Sequence, residues 1–289
     1  MKLAAFDYAA PRTVPEAVAV LADGGRDVRV LAGGQSLLLE MRLHRLSPDL
    51  VVDINGVGGL DRLDVNDGTA EVGALVRHDV FDSPRAVPGP LGTLLALAAP
   101  NIAHPPIRAR GTMVGSLAWA HPASEWCAIA MALDAVIRLR GPEGVREVPV
   151  RDWFLGPFTT ARRPGELLLS VRLPLLDAHT GVGFLEHRRT HFSFAQVGVA
   201  VALAVRDGVV EEARIGLANC ADRPVRAYAA ERELNGTEVG HSFVRAGRVA
   251  AEQDAAPLAE PYADVEYRRQ VIAVLVARTL RQAAEGAPQ

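Results

Sequence analysis

Two short glycine-bearing stretches carry the residue types best suited to chemistry. One is Ala32-Gly33-Gly34-Gln35-Ser36; the other, about eighty residues later, is Gly111-Thr112-Met113-Val114-Gly115-Ser116. Glycine accepts φ > 0 and lets the backbone approach a ligand closely. Successive N–H groups in such turns form a concave nest that suits a phosphate. A helix beginning just after the turn adds partial positive charge. Two nests in one chain suit a ligand with two phosphates, such as a dinucleotide. Taken singly, each turn also reads as a plain strand-to-helix connection or an ordinary helix cap. The glycines of the first turn are adjacent and no G-x-G-x-x-G follows the first strand, so this is not a Rossmann fingerprint.

Downstream of the second turn, Trp119, His121, Pro122 and Glu125 lead into a helical pattern, where polar groups are well placed to line a ligand site. Histidine titrates near neutral pH, which makes His121 the candidate acid or base. Arg108, Arg110, Arg188 and Arg189 are either solvated surface or, for the first two, a means of orienting the second turn through paired hydrogen bonds. The eight histidines are scattered, with no H-E-x-x-H and no Cys/His spacing for zinc, so no metal site is expected. No G-x-S-x-G elbow appears. Lys2 is the sole lysine, which removes a P-loop and any Schiff base downstream of it. Cys127 and Cys220 are the only cysteines, whereas a [2Fe–2S] cluster needs four ligands; this chain cannot hold one alone. The two read as buried small hydrophobes, with a disulfide as the alternative. A net charge of −3 gives no nucleic-acid footprint. No apolar run reaches a membrane span and the N-terminus has no apolar signal core, so the expected location is cytoplasmic.

The elements around these residues follow from their patterning. With 289 residues, 49% of them hydrophobic, the chain can fill more than one core. Residues 28–31 read as a strand, 36–46 as a helix that Ser36 caps, and 50–54 as a second strand. The break at 55–59 marks a first domain boundary. Residues 60–76 read as strands around Gly68, 91–99 as helix, 101–115 as loop and 123–133 as helix, with Pro122 at its first position. Strands follow at 135–139, 145–150 and 167–173, and 174–183 marks a second boundary. Asp207-Gly208 predicts a hairpin between 197–205 and 209–217. Helices complete the chain at 226–234, 243–253 and 264–284.

Together these segments resemble the FAD-binding medium subunits of the molybdenum hydroxylases, the xanthine dehydrogenase and carbon monoxide dehydrogenase group. Ala32 to Leu37 match that family's A-G-G-Q-S-L motif in full, and Val51-Val52-Asp53-Ile54 match its following strand. Ile107 to Ser116 match part of its second motif. Ile102-Ala103-His104-Pro105 resembles the version in subunits acting on N-heterocyclic alkaloids. Gly165-Glu166-Leu167, Arg172-Leu173-Pro174, Arg188-Arg189, Phe194-Ala195, Val197 to Ala200 and the Tyr267-Arg268-Arg269 helix also fit.

The resemblance implies an α+β chain with the vanillyl-alcohol-oxidase-type (PCMH) FAD-binding fold. Two α/β domains, 1–56 and 57–176, would clasp FAD, and a C-terminal α+β domain, 177–289, would pack beside the flavin. The implied cofactor-binding residues are Ala32, Gly33, Gly34, Gln35, Ser36, Leu37, Ile102, Thr112, Gly115, Ser116, His121 and Glu125. Gly34→Val is expected to abolish binding. The implied function is electron transfer within a heterotrimer, alone or paired. A small subunit carries [2Fe–2S] clusters, a large subunit carries the molybdenum cofactor, and FAD hands electrons to a final acceptor. Some positions depart from the pattern. Val114 replaces a glycine, His121 an Asp, Ala109 an Asn, and Ser193 an Asp. Three readings follow: the electron-transfer subunit, a stand-alone flavoenzyme of secondary metabolism using His121, or a relative that has lost FAD.

Overall fold

The computed structural model describes residues 2–287 and arranges them around three main sheets. In the first, β1 (Asp7–Ala9), β2 (Val28–Leu31) and β3 (Leu50–Asp53) run parallel in the order β1-β3-β2. Parallel neighbours need crossovers, which α1 (Val14–Leu21) and α2 (Leu37–Arg42) supply. Thr13 Oγ1 accepts from Glu16 N at 3.3 Å and starts α1, with a proline in its first turn.

The second sheet is antiparallel. It places β4 (Leu63–Asn66), β5 (Thr69–Gly73), β6 (Val136–Gly141), β7 (Gly144–Pro149) and β10 (Leu167–Pro174) in the order β4-β5-β10-β6-β7. A ribbon of β8 (Phe154–Gly156) and β9 (Thr159–Thr160) precedes β10. Four helices lie between β5 and β6: α3 (Gly89–Ala98), α4 (Pro105–Arg108), α5 (Met113–Trp119) and α6 (Glu125–Ala132). The first two sheets share one core, in which Ala17, Val52, Val72, Leu95 and Val171 are buried together.

The third sheet orders β11 (Thr180–His187), β12 (Val197–Arg206), β13 (Val209–Ala218) and β14 (Val225–Arg226) consecutively. Side chains alternate between faces of a strand, and β12 uses this fully. Val197, Val199, Val201 and Leu203 join the core beneath α7 (Tyr228–Leu234), α8 (Phe243–Val249) and α9 (Val265–Gly286). The intervening Ala200 and Ala202 join the core of the first two sheets, where their small side chains let α6 lie close. Helix α6 is buried along its whole length, packed on β12 and β13 of the third sheet and against α5. Asp264 caps α9 by accepting from Tyr267 N at 2.7 Å, and Ile272, Leu275, Val276, Thr279, Leu280 and Ala283 form its buried stripe.

Several local expectations change. Ser36 makes no side-chain cap bond, and α2 stops at Arg42, after which His44 takes φ 55°. The expected loop 101–115 contains α4, whose prolines sit in its first turn, where a missing N–H costs nothing. It also holds the start of α5. Pro122 precedes α6 and is not its first residue; Ser124 is the cap position. The expected linker 174–183 is strand at both ends, since β10 reaches Pro174 and β11 starts at Thr180. The hairpin at Asp207-Gly208 forms as expected, with φ of 50° and 74°.

Candidate functional site

The first glycine turn leaves β2 and enters α2. Gly34 holds φ 74°, the left-handed region that disfavours a side chain. Among the described residues, no hydrogen bond uses the amides of Gly33, Gly34, Gln35, Ser36 or Leu37. These consecutive donors therefore point to something outside the protein. Gln35 folds back, its Nε2 donating to Gly33 O at 3.1 Å, and so stiffens the turn.

The second turn is capped from within. Thr112 has extended backbone, and its Oγ1 accepts from Gly115 N at 3.0 Å. The expected Gly115 donor is thus already satisfied, and the Met113 amide faces Val76 O in the bridge that pairs Arg77 with Thr112, while the amide of Val114 makes no bond among the described residues. Val114 is helical and 2% exposed, its side chain in the core. The departure from glycine at that position therefore does not distort the turn.

The two turns touch. A Cβ on Gly33 would sit inside contact distance of the Arg110 carbonyl oxygen and 2.6 Å from Gly111 Cα. They form one wall of a cleft of about 190 Å³. Ala32, Gly33, Gly34, Gln35, Ser36, Leu37, Thr112, Gly115 and Ser116 all line it. Whole-ligand pockets run to roughly 300–1,000 Å³, so this cleft suits the middle of a long ligand.

Other lining residues were not singled out from sequence. His78 lies against Gly111 and accepts from Trp126 Nε1 at 2.9 Å through its Nδ1. Burial, with Arg108 and Arg77 nearby, pushes His78 down to about 3, so it is neutral. Arg29 and Arg162 bring positive charge to the far side. No local pattern marks either arginine, because strand and loop meet there only in the folded chain.

Ile102, His121 and Glu125 are not among the residues lining this cleft. They lie toward the third sheet. An aromatic run leads there from the cleft. Trp119 meets Phe158 edge-on at 5.6 Å, Phe158 meets His121 at 5.1 Å, and His121 stacks on Phe194 at 4.2 Å. Burial lowers the His121 pKa, and its Nδ1 already accepts from Ala123 N at 3.0 Å. It is a packed neutral imidazole. Arg108 bonds to the segment before α4 and not to the second turn, donating to Ile102 O and Ala103 O at 3.3 Å and pairing with Asp82 at 3.1 Å. Arg188 reaches across the seam to Asn101. Arg189 lies over the Tyr262 ring at 3.8 Å.

Glu125 faces Glu186 of β11 inside this seam. Neither Glu186 oxygen finds a hydrogen-bond partner, and Arg188 comes only to 3.8 Å. Burial first, and for Glu186 the neighbouring Glu125 next, raise both carboxyls above the ordinary range. Both hold their protons more tightly folded than unfolded. Stability is therefore greatest at acidic pH and falls as pH rises through the raised values. Glu186→Gln is expected to flatten the slope of Tm against pH between mildly acid and mildly alkaline buffer. At the alkaline end it should be the more stable protein, by about 1–3 kcal/mol. An unchanged slope would show that Glu186 does not gain a proton on folding.

Among the described residues there is no group of three or more His, Cys, Asp or Glu able to hold a metal, and no helix is long and apolar enough to cross a membrane. Cys127 and Cys220 are free and buried, with burial pushing both thiols up to about 12.

Residues 4–176 match the family model of the FAD binding domain in molybdopterin dehydrogenase, and residues 184–283 match that of the CO dehydrogenase flavoprotein C-terminal domain. The chain is 37% identical to the 6-hydroxypseudooxynicotine dehydrogenase complex subunit alpha of Paenarthrobacter nicotinovorans, over 98% of this chain and 96% of that one. It is 33% identical to the caffeine dehydrogenase subunit beta of a Pseudomonas species, over 99% and 97%. Its fold superposes on a chain of the carbon monoxide dehydrogenase of Hydrogenophaga pseudoflava with TM-score 0.95, 34% identity and complete coverage of both chains.

Proposed function

We propose, from the premise that this chain belongs to the FAD-binding medium subunits of the molybdopterin dehydrogenase family, that the diphosphate of FAD lies against the turns at Gly33-Gly34 and Met113-Val114. The chain is the FAD-binding subunit of a molybdenum-dependent oxidoreductase of several subunits. The residues fit the cofactor. The five amides from Gly33 to Leu37 have no other acceptor, and the Ser36 and Ser116 hydroxyls share the cleft. That row of free donors is the observation that carries the assignment.

In this reading the domains 1–56 and 57–176 clasp the diphosphate and adenosine, and the third, 177–289, closes on the flavin ring. The ring follows the aromatic run from Trp119 toward His121, with Ile102 and Glu125 beside it. When bound, FAD supplies the change from single-electron to two-electron transfer. The protein's part is to fix the cofactor's position and keep water from it; no side chain need act as nucleophile or base. His121, neutral and stacked under Phe194, serves as packing. The chain has two cysteines, so [2Fe–2S] clusters belong to a small partner and the molybdenum cofactor to a large one. The assembly is a cytoplasmic heterotrimer, alone or paired, and substrate is oxidised on the large chain.

The test is direct. Purified protein should show the flavin absorption bands and release one FAD per chain. It should also copurify with a cluster-bearing small chain and a large molybdenum chain when the three are expressed together. Colourless protein that takes up no FAD from excess would sink the assignment.

A further inference from the structure

The two turns come from segments about eighty residues apart: the first follows β2 of the first sheet, and the second lies between α4 and α5 in the β5–β6 connection. Among the described residues no backbone hydrogen bond runs from one turn to the other. Van der Waals contact at Gly33 brings them together, but contact alone does not set their relative orientation. Two side chains do make a polar connection. Asn55, just beyond β3, donates from Nδ2 to Ala32 O at 2.9 Å. Its Oδ1 accepts from Arg77 Nη2 at 2.7 Å. The other arm of Arg77, Nη1, donates to Arg110 O at 2.6 Å. The path therefore runs from the carbonyl at the head of the first turn to the carbonyl at the head of the second.

Both members are themselves held. Asp53 Oδ1 accepts from Asn55 N at 2.9 Å and from Asn55 Nδ2 at 2.6 Å, and Tyr8 OH donates to Asp53 Oδ2 at 2.6 Å. Arg77 forms an isolated backbone bridge with Thr112, and the next residue's amide, His78 N, donates to Gly111 O at 3.0 Å. Only one orientation of the Asn55 amide satisfies all three side-chain partners, because Nδ2 must donate and Oδ1 must accept. Only a guanidinium offers two donors in a rigid fork at this spacing; an ammonium is a single point.

We propose that Asn55 and Arg77 are positioning residues, a latch that fixes the spacing of the two phosphate-binding turns, so that FAD affinity depends on them. The proposal rests on the placement of FAD between those turns. The latch holds the free amides of 33–37 and of Val114 in one concave arrangement before the cofactor arrives. Without it the turns must be ordered by the cofactor itself, and affinity falls. Neither side chain need touch FAD for this effect.

The experiment titrates FAD-free protein with FAD, following quenching of flavin fluorescence. It compares wild type, Gly33→Ala, Asn55→Ala, Arg77→Ala, the double variant and Arg77→Lys. Thermal unfolding of each FAD-free protein is recorded alongside, and all titrations are run where every variant is folded. Asn55→Ala and Arg77→Ala are each expected to weaken binding by about tenfold or more. The double variant should be no weaker than the worse single one, because the pair acts as a unit. Arg77→Lys should not restore affinity. Arg138→Gln loses an ion pair with Glu71 on the second sheet and serves as the control for a general loss of stability; its FAD affinity should match wild type. Wild type that binds and Gly33→Ala that does not, together with latch variants that bind within about twofold of wild type, would overturn the latch while leaving the FAD placement intact. Additive losses in the double variant, or rescue by lysine, would also overturn it. Wild type that takes up no FAD would remove the placement and the latch together.

Discussion

Gly33→Ala leaves a folded protein that has lost FAD. One methyl group is enough for this because of where it falls. The added carbon would meet the Arg110 carbonyl and Gly111 Cα, both backbone, so no rotamer change can relieve it. The turns must separate, and the concave row of amides opens. Loss of about 100-fold or more in FAD affinity, equivalent to roughly 3 kcal/mol, is the expected reading of an equilibrium titration. Circular dichroism should stay near wild type, because the strain is local to the two turns. Gly34 provides the contrast. Its constraint is φ 74°, and a Cβ there would meet the side chains of Leu31 and Leu38 at 3.0 and 3.1 Å. Those side chains can turn aside, so Gly34→Ala should cost about 1 kcal/mol in backbone strain and less in affinity. A branched residue, as in Gly34→Val, adds χ1 restriction to the strain and should approach the Gly33 result. Affinities ranked the other way would show that close turn-to-turn contact is not what the first glycine provides.

Arg268→Leu should be the most destabilising replacement in the third domain. Arg268 is 1% exposed, near the start of α9, an unusual place for a charge. Its guanidinium donates to the carbonyls of Leu258, Gln196 and Asn219 and pairs with Glu260 at 3.3 Å. One side chain thereby ties α9, the end of β13 and the segment before β12. Asn219 carries the tie onward, its amide donating to Pro122 O at 2.7 Å next to α6. Leucine leaves these carbonyls without the guanidinium donors and leaves the Glu260 carboxylate with only Asn219 Nδ2, at 2.7 Å, and no cation beside it. Breaking such a buried charged network costs about 3–5 kcal/mol. For a chain this size that is a fall of roughly 10 °C in the thermal midpoint. Arg268→Lys should recover little, since one ammonium cannot reach carbonyls on three segments. A midpoint within a few degrees of wild type would show that water replaces the guanidinium and that the seam does not rely on it.

Much of this architecture was readable from residue order. The β12 stretch alternates Val with Gly or Ala, which already describes a strand with one helix-packed face and one face needing close approach. Asp207-Gly208 marked the hairpin because two consecutive positive φ values favour those residues. The A-G-G-Q-S-L run located the donor-rich turn, and the match over nearly the whole chain bore out the family and its FAD. Less was legible where distant segments meet. The loop expected at 101–115 is partly helical because its prolines fall in the first turn of α4, where they are tolerated, and Arg108 is buried against Asp82. Gly115 drew attention as a donor, yet Thr112 had already claimed its amide, a matter of side-chain rotamer. Val114 stands where the family pattern has glycine, yet helical backbone there removes any need for glycine.

The sequence by itself determined which stretches turn, which alternate and which carry the unpaired donors, because those properties depend on neighbours within a few residues. Only the tertiary structure decided that the two turns touch, that Asn55 and Arg77 join them, and that two glutamates share a dry seam. The physical reason is that hydrogen bonds and desolvation act over a few ångströms of space, whatever length of chain lies between the partners.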